Sequence, residues 1–214
     1  MTYNFSSYQE KYKSREETII NMYDRLYHRS RIDGDYITMS AIQADDNGGL
    51  LPKSELSQLL SSKFLTADQF HGVDIDSETI EINKRLGIGN WYVSDIFKFI
   101  ENHIDDLNPS VINLDTVHMG NRCSDLISEV LLLLTEKNIK NCMVPVNIMM
   151  SNPHNKIPIH KIDVNEQKDV FLSNLSKDYG YSCAVLNGGW DMWDEVYYYS
   201  STNSTIMGTF IFYS

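Results

Sequence analysis

The 214-residue sequence predicts a three-layer α/β sandwich whose mostly parallel sheet ends in an antiparallel C-terminal hairpin. Three observations carry this expectation. Short apolar runs suited to buried strands alternate with helical periodicities from Tyr36 to Lys177, the pattern of a parallel sheet covered on both faces. Turn and cap residues separate these segments. Near the end the pattern changes, and two β-rich runs, Glu195 to Ser200 and Ile206 to Tyr213, are joined by Ser-Thr-Asn-Ser-Thr as in a hairpin.

The elements follow in order. Ile19, Met22, Tyr23, Leu26 and Tyr27 recur at three and four spacing, predicting one helix over 7–30 with a single buried face, closed by Asp33-Gly34. This helix (1–31) stands apart from an α/β domain over 32–214, as a lid or brace. Tyr36 to Ile42 fits a central strand, and residues 43–52 form a loop with Asn47 and Gly48-Gly49 as turn residues. Pro52 suits the first turn of a helix from Lys53 to Ser62. Strands are then expected at Phe70–Ile75, Asn90–Val93, Val111–Val117 and Cys142–Met150. Helices are expected at Ser77–Leu86, Ile96–Ile104, Ser124–Lys137 and Asn165–Lys177, and Cys183 to Leu186 is a further short apolar run.

The formal charge of −11 is uneven: +2 over residues 1–31, −9 over 32–110 and −4 over 111–214. No run of Lys and Arg follows a backbone path, so extended nucleic-acid binding is disfavoured. No segment approaches the roughly 20 apolar residues that span a bilayer, and the N-terminus lacks the features of a signal peptide, so a cytoplasmic protein is expected. Cys123, Cys142 and Cys183 are odd in number, far apart and without Cys-x-x-Cys spacing, which speaks for buried reduced thiols.

The most informative segment is His71-Gly-Val-Asp-Ile-Asp76, an apolar strand ending in Asp74 with a helix directly behind it. A carboxylate at the end of the second strand of an open α/β sheet is placed to accept both hydroxyls of a ribose. The segment resembles the ribose-binding strand of class I S-adenosylmethionine-dependent methyltransferases, in which a hydrophobic-Gly-hydrophobic-Asp-hydrophobic-Ser/Asp run recurs. The resemblance implies a methyltransferase-like fold, S-adenosylmethionine as cofactor and methyl transfer to an acceptor that the sequence does not name. It implies cofactor contacts from Asp74 and Ile75, and from Asp95 and Ile96 at the end of the third strand, where the family places an acid toward the adenine amino group. The chain departs from the family in its first βα turn. The Asp/Glu-x-Gly-x-Gly pattern is missing, and only the small residues Ser40 and Ala41 and the later Gly48-Gly49 remain.

Each assignment has a plainer counterpart. Asp76 is placed to cap the helix from Ser77, which leaves Asp74 free, whereas Asp95 as a cap and Asp95 as a ligand look alike. Asp115 and His118, after the fourth strand, are candidates to orient or deprotonate an acceptor. They share a cleft if the chain turns promptly after Thr116, with Gly120 as the flexible point; as loop hydrogen-bonders they would do no chemistry. No motif for gripping an extruded base, and no Pro-Cys nucleophile, is found in its expected place. His154, His160 and Asp163 match no zinc spacing, so no metal is expected. Trp190, Trp193 and Tyr197 to Tyr199 suit packing more than base stacking. Two alternatives remain: a methyltransferase-like binding or scaffold protein without catalysis, and a nicotinamide-dependent reductase, which would share Asp74 but lack the terminal hairpin.

Overall fold

The computed structural model describes residues 11–150, 163–202 and 205–214, with the side chains of 117–122, 164, 197, 199–202, 205 and 206 outside that description. Helix α1 runs through residues 11–15, a π-helical segment Glu16–Asn21 and the turn Met22–Tyr27. It stops at His28, in the left-handed region at φ 54°, rather than at Asp33-Gly34. The wider π turn keeps Thr18, Ile19, Met22 and Tyr23 buried on one face.

Strand β1 (Asp35–Met39) ends before Ile42. Helix α2 (Glu55–Ser61) begins later than Pro52 suggested, because Lys53 has φ 62° and Ser54 caps the helix, its hydroxyl accepting from Ser57 N at 3.3 Å. There follow β2 (Phe70–Asp74), α3 (Ser77–Lys84), β3 (Asn90–Val93), α4 (Ile96–His103), β4 (Pro109–Met119), α5 (Gly120–Glu136), β5 (Met143–Met149) and α6 (Val164–Leu175). Helix α7 (Tyr179–Cys183) continues as a π-helical turn, Ala184–Gly188, so the apolar run at 183–186 is helical. Short β6 (Asp191–Met192), β7 (Tyr197–Thr202) and β8 (Thr205–Tyr213) complete the sheet.

The strand order is β3-β2-β1-β4-β5-β8, with β6 and β7 both on the far side of β8. Strands β1 to β5 are parallel and β8 runs antiparallel against β5, from Met143↔Tyr213 to Met149↔Met207. The expected methyltransferase-like fold, a parallel sheet finished by an antiparallel hairpin, is the one the chain adopts.

Strand alternation splits the core in two. Ile37, Val73, Ile112, Leu114, Val146 and Phe210 face α4, α5 and α6. Tyr36, Phe70, Val111, Met143 and Ile211 face α1, α2 and α3. In β2, Gly72 leaves room for a ring of β3: a Cβ there would lie 2.4 Å from Trp91 Cζ3. The glycine of the Gly-Val-Asp segment therefore serves strand packing.

Candidate functional site

At the carboxyl ends of β1 to β4, on the α5 side, lies a cleft of ≈ 240 Å³. Met39, Val73, Asp74, Ile75, Ser94, Asp95, Ile96, Thr116, Cys123 and Leu126 line it. It brings together four residues singled out from the sequence: Asp74, Ile75, Asp95 and Ile96. Strands β2 and β3 contribute where the strand gives way to its helix, at the carboxyl end of the sheet, which is where an open α/β sheet has its crevice.

The acids are held by local backbone. Asp74 Oδ1 accepts from Asp76 N at 2.8 Å, and Oδ2 has no partner among the described residues. Asp76 caps α3, accepting from Glu78 N and Thr79 N; the Thr79 hydroxyl and the Glu78 amide hold its carboxyl below the usual aspartate value. The cap is thus Asp76 and the freer carboxylate Asp74. Asp95 caps α4 through Oδ1, which accepts from Phe97 N (3.0 Å) and Lys98 N (3.2 Å), while Oδ2 has no partner among the described residues. Capping and ligand binding are therefore compatible at Asp95. Ile75 is 76% exposed and Val93 52%, apolar surface left open beside the two carboxylates. Burial pushes the Cys123 thiol up despite its hydrogen bond with Thr116, which favours the protonated thiol at this point of the cleft.

Ser40 and Ala41 lie outside this lining. Ser40 is buried and its hydroxyl donates to the Ala41 carbonyl. That carbonyl also accepts from Gln43 Nε2 and Asn83 Nδ2, and Gln43 Oε1 accepts from Leu56 N, so side chains tie the first βα turn to α2 and α3. Gly48 and Gly49 serve a local turn in which Asp45 Oδ1 accepts from Asn47 N and Gly49 N, closed by an Ala44↔Leu50 bridge.

Asp115 and the cleft are on opposite sides of the sheet: Thr116 points to the cleft, and Asp115 lies under α1, where Oδ2 accepts from Lys11 Nζ at 2.6 Å. Burial alone would raise its carboxyl; the charge and hydrogen bond of Lys11, with Arg15 and Asn147, outweigh it and hold the carboxyl below the usual aspartate range. Such a carboxylate orients better than it deprotonates. The prompt turn after Thr116 is absent, since β4 continues to Met119 and α5 follows at once. Between Asp115 and Met119 four steps of β4 match two of β5, a bulge. The His118 side chain lies outside the described residues, as do His154 and His160. Asp163 caps α6, and no group that could hold a metal is found among the described residues.

A second constellation escaped the sequence reading. Glu55, buried in the first turn of α2, accepts from Tyr36 Oη (2.6 Å), Asn113 Nδ2 (2.7 Å) and Thr38 Oγ1 (3.2 Å). Next to it, Asp115 pairs with Asn147, and Asn147 Oδ1 accepts from Thr209 Oγ1 at 2.5 Å. Register places Thr38 beside Asn113, Asp115 beside Asn147, and Asn147 beside Thr209, a polar row across β1, β4, β5 and β8. The alternation Val111-Ile-Asn-Leu-Asp115 in a strand covered on both faces was the available signal.

No family model matches the chain, and no curated protein matches it. Solved structures resemble it only distantly. The plantazolicin methyltransferase BpumL in complex with SAH is 15% identical with a TM-score of 0.49, the match covering 98% of this chain and 85% of that one. The plantazolicin methyltransferase BamL, in complex with a triazolic desmethylPZN analog and SAH, is 13% identical with a TM-score of 0.45, covering 97% and 90%. A Streptococcus mutans chain described as a candidate SAM-dependent methyltransferase is 9% identical with a TM-score of 0.46; the match covers 89% of this chain and 48% of that one, about half its length. These likenesses concern shape alone. The functional reading rests on the cleft. No helix among the described residues is long and apolar enough to cross a membrane.

Proposed function

We propose that the chain is an S-adenosylmethionine-dependent methyltransferase that holds the nucleoside end of its cofactor in the cleft at the ends of β1 to β4. The observation that carries this reading is the convergence of Asp74 and Asp95, each with one carboxylate oxygen unpartnered among the described residues, on a cleft walled by Met39, Val73, Ile75, Ile96 and Leu126. Its volume lies below the roughly 300–1,000 Å³ of a pocket that encloses a whole drug-sized ligand, which suits part of a cofactor. Asp74 would accept from the ribose hydroxyls, Asp95 from the adenine amino group, and Ile75 and Ile96 would cover the base. When bound, the cofactor supplies an activated methyl group, so the chain's share is binding, orientation and exclusion of water. The charge of −11 favours an acceptor other than extended nucleic acid, and three cysteines outside any disulfide suit the cytoplasm.

Calorimetric titration with S-adenosylhomocysteine tests the reading. We expect low micromolar to millimolar binding, and a loss of about tenfold or more for Asp74→Ala with the fold intact, since a hydrogen bond to a charged group contributes roughly 1.5–3 kcal/mol. Absence of binding at millimolar ligand would reject it in favour of a non-catalytic binding protein. That second reading draws on the first βα turn, where Gly48 and Gly49 are committed to the Asp45 turn. A nicotinamide enzyme is disfavoured by antiparallel β8.

A further inference from the structure

An S-adenosyl compound has two halves of different chemistry, a nucleoside and an amino-acid tail that carries an ammonium beside a carboxylate. The tail's carboxylate calls for amide hydrogens or a cation. In an open α/β sheet the first βα turn normally brings backbone amides up to the ligand. Here amides of that turn are spent within the fold. Ser40 N donates to the Val73 carbonyl at 2.9 Å, and Gln43 N to Asn83 Oδ1 at 2.7 Å. Asn47 N and Gly49 N both donate to Asp45 Oδ1 at 2.8 Å. At the start of α2, Leu56 N donates to Gln43 Oε1 at 3.0 Å and Ser57 N to Ser54 Oγ at 3.3 Å. Gln43 and Asn83 are 2% and 0% exposed, so turning these amides to a ligand would break buried hydrogen bonds and leave buried groups unpaired.

The cleft treats the two halves unequally as well. Its hydroxyl donors are committed: Ser94 Oγ donates to the Asp95 carbonyl at 3.0 Å, and Thr116 Oγ1 to the Asn147 carbonyl at 2.7 Å. Its charges, among the described lining residues, are the carboxylates of Asp74 and Asp95. Both are acceptors for hydroxyl and amino groups, which a nucleoside supplies. For the tail, attraction of the ammonium is opposed by repulsion of the carboxylate next to it, so the pair of acids contributes little to holding it.

We propose that the affinity of the cleft for an S-adenosyl compound resides in the adenosine half, and that Gln43 and Asn83, by fixing the first βα turn, withhold the amides that the amino-acid tail needs. The ligand class is then the 5′-thioadenosines, with or without an amino-acid tail. The proposal rests on the methyltransferase reading for its adenosyl ligand, and goes beyond it in the half of that ligand that is recognised.

The test is calorimetric titration of the full chain with S-adenosylhomocysteine, with 5′-methylthioadenosine, which keeps the nucleoside and the sulfur but lacks the tail, and with homocysteine alone. 5′-Methylthioadenosine should bind within about fivefold of S-adenosylhomocysteine, and homocysteine should show no binding at millimolar concentration. Asp74→Ala should weaken both nucleosides by the same factor to within about twofold, because both are held by the same half. If Asp74→Ala does not fold, Asp74→Asn takes its place. A preference for S-adenosylhomocysteine above about fivefold, or binding of homocysteine, overturns the proposal alone: the tail is then held, with the start of α5 beside Cys123 as its place. Unequal losses in the Asp74 variant also overturn it, since the two nucleosides then sit differently. No binding of either nucleoside at millimolar concentration rejects the methyltransferase reading and the proposal with it. Binding of 5′-methylthioadenosine without binding of S-adenosylhomocysteine rejects the methyltransferase reading alone and leaves the nucleoside site standing.

Discussion

Replacing Glu55 by Ala and by Gln separates its two properties, acceptor and charge. In Glu55→Ala the Tyr36 hydroxyl and the Asn113 amide lose acceptors at 2.6 and 2.7 Å, in residues 0% and 1% exposed. Thr38 keeps a weak bond to the Met39 carbonyl at 3.4 Å and the Asn113 amide keeps one to Thr38 Oγ1 at 3.3 Å, so only the Tyr36 hydroxyl is left with no partner. That orphan costs roughly 1–3 kcal/mol, the two weakened donors add to it, and removing a buried carboxylate returns part of its desolvation penalty, so the net loss is about 1–3 kcal/mol. At ~2–4 °C per kcal/mol for a chain of this size, Tm falls by roughly 2–12 °C. In Glu55→Gln, Oε1 still accepts from Tyr36 and Asn113 while the new amide donates to Thr38 Oγ1, and the loss stays within about 1 kcal/mol. Urea and thermal unfolding followed by circular dichroism measure both. A Glu55→Ala chain within 1 kcal/mol of the parent refutes the network as a stabilising element. A Glu55→Gln loss equal to that of Ala shows that charge, not acceptor geometry, holds the row together.

Three further outcomes are expected. Gly72→Ala brings a Cβ within 2.5 Å of two atoms of the Trp91 ring, and overpacking between β2 and the edge strand β3 should cost about 1–3 kcal/mol in urea unfolding; a neutral change would mean that the Trp91 ring moves freely. Burial raises Tyr36, Tyr27 and Cys142 above their ordinary values. Groups whose folded values are raised contribute stability that is full below the unfolded values and lost as pH rises above them, so unfolding free energy should fall steadily from about pH 9 upward, and a flat profile to pH 11 would contradict the burial of these groups. Truncation before Ile206 strips β5 of its antiparallel partner and exposes the apolar faces of β5, and the product should be insoluble; a soluble, cooperatively unfolding product would make the hairpin an appendage.

Much of the architecture was legible because each element carried its own signal. Asn90–Val93 has the bounds its sequence pattern predicts, and Asp76 and Asp95 mark two helix starts by a side chain whose chemistry is local. Asp74 and Asp95 were legible as a pair because both end a strand. What stayed hidden depends on partners distant in sequence. Nothing near Ser40 indicates that Gln43 and Asn83 would tie down the turn, and nothing near Asp115 indicates Lys11, 104 residues away. Pro52 misled because a proline before a helix and a proline in its first turn look the same until the φ of Lys53 is known.

The polar row also acts on register. Side chains in a strand alternate with period two, so a slip by one residue exchanges the two faces. In β1, β4, β5 and β8 such a slip would carry Thr38, Asn113, Asn147 and Thr209 into the apolar layer against α5, and would put Ile37, Leu114, Val146 and Phe210 beneath α1 and Glu55. An all-apolar strand covered on both faces loses little by such an error. Here every misaligned pairing strands a polar group from its partner in the neighbouring strand, so the row works as a key that only one alignment of four strands fits.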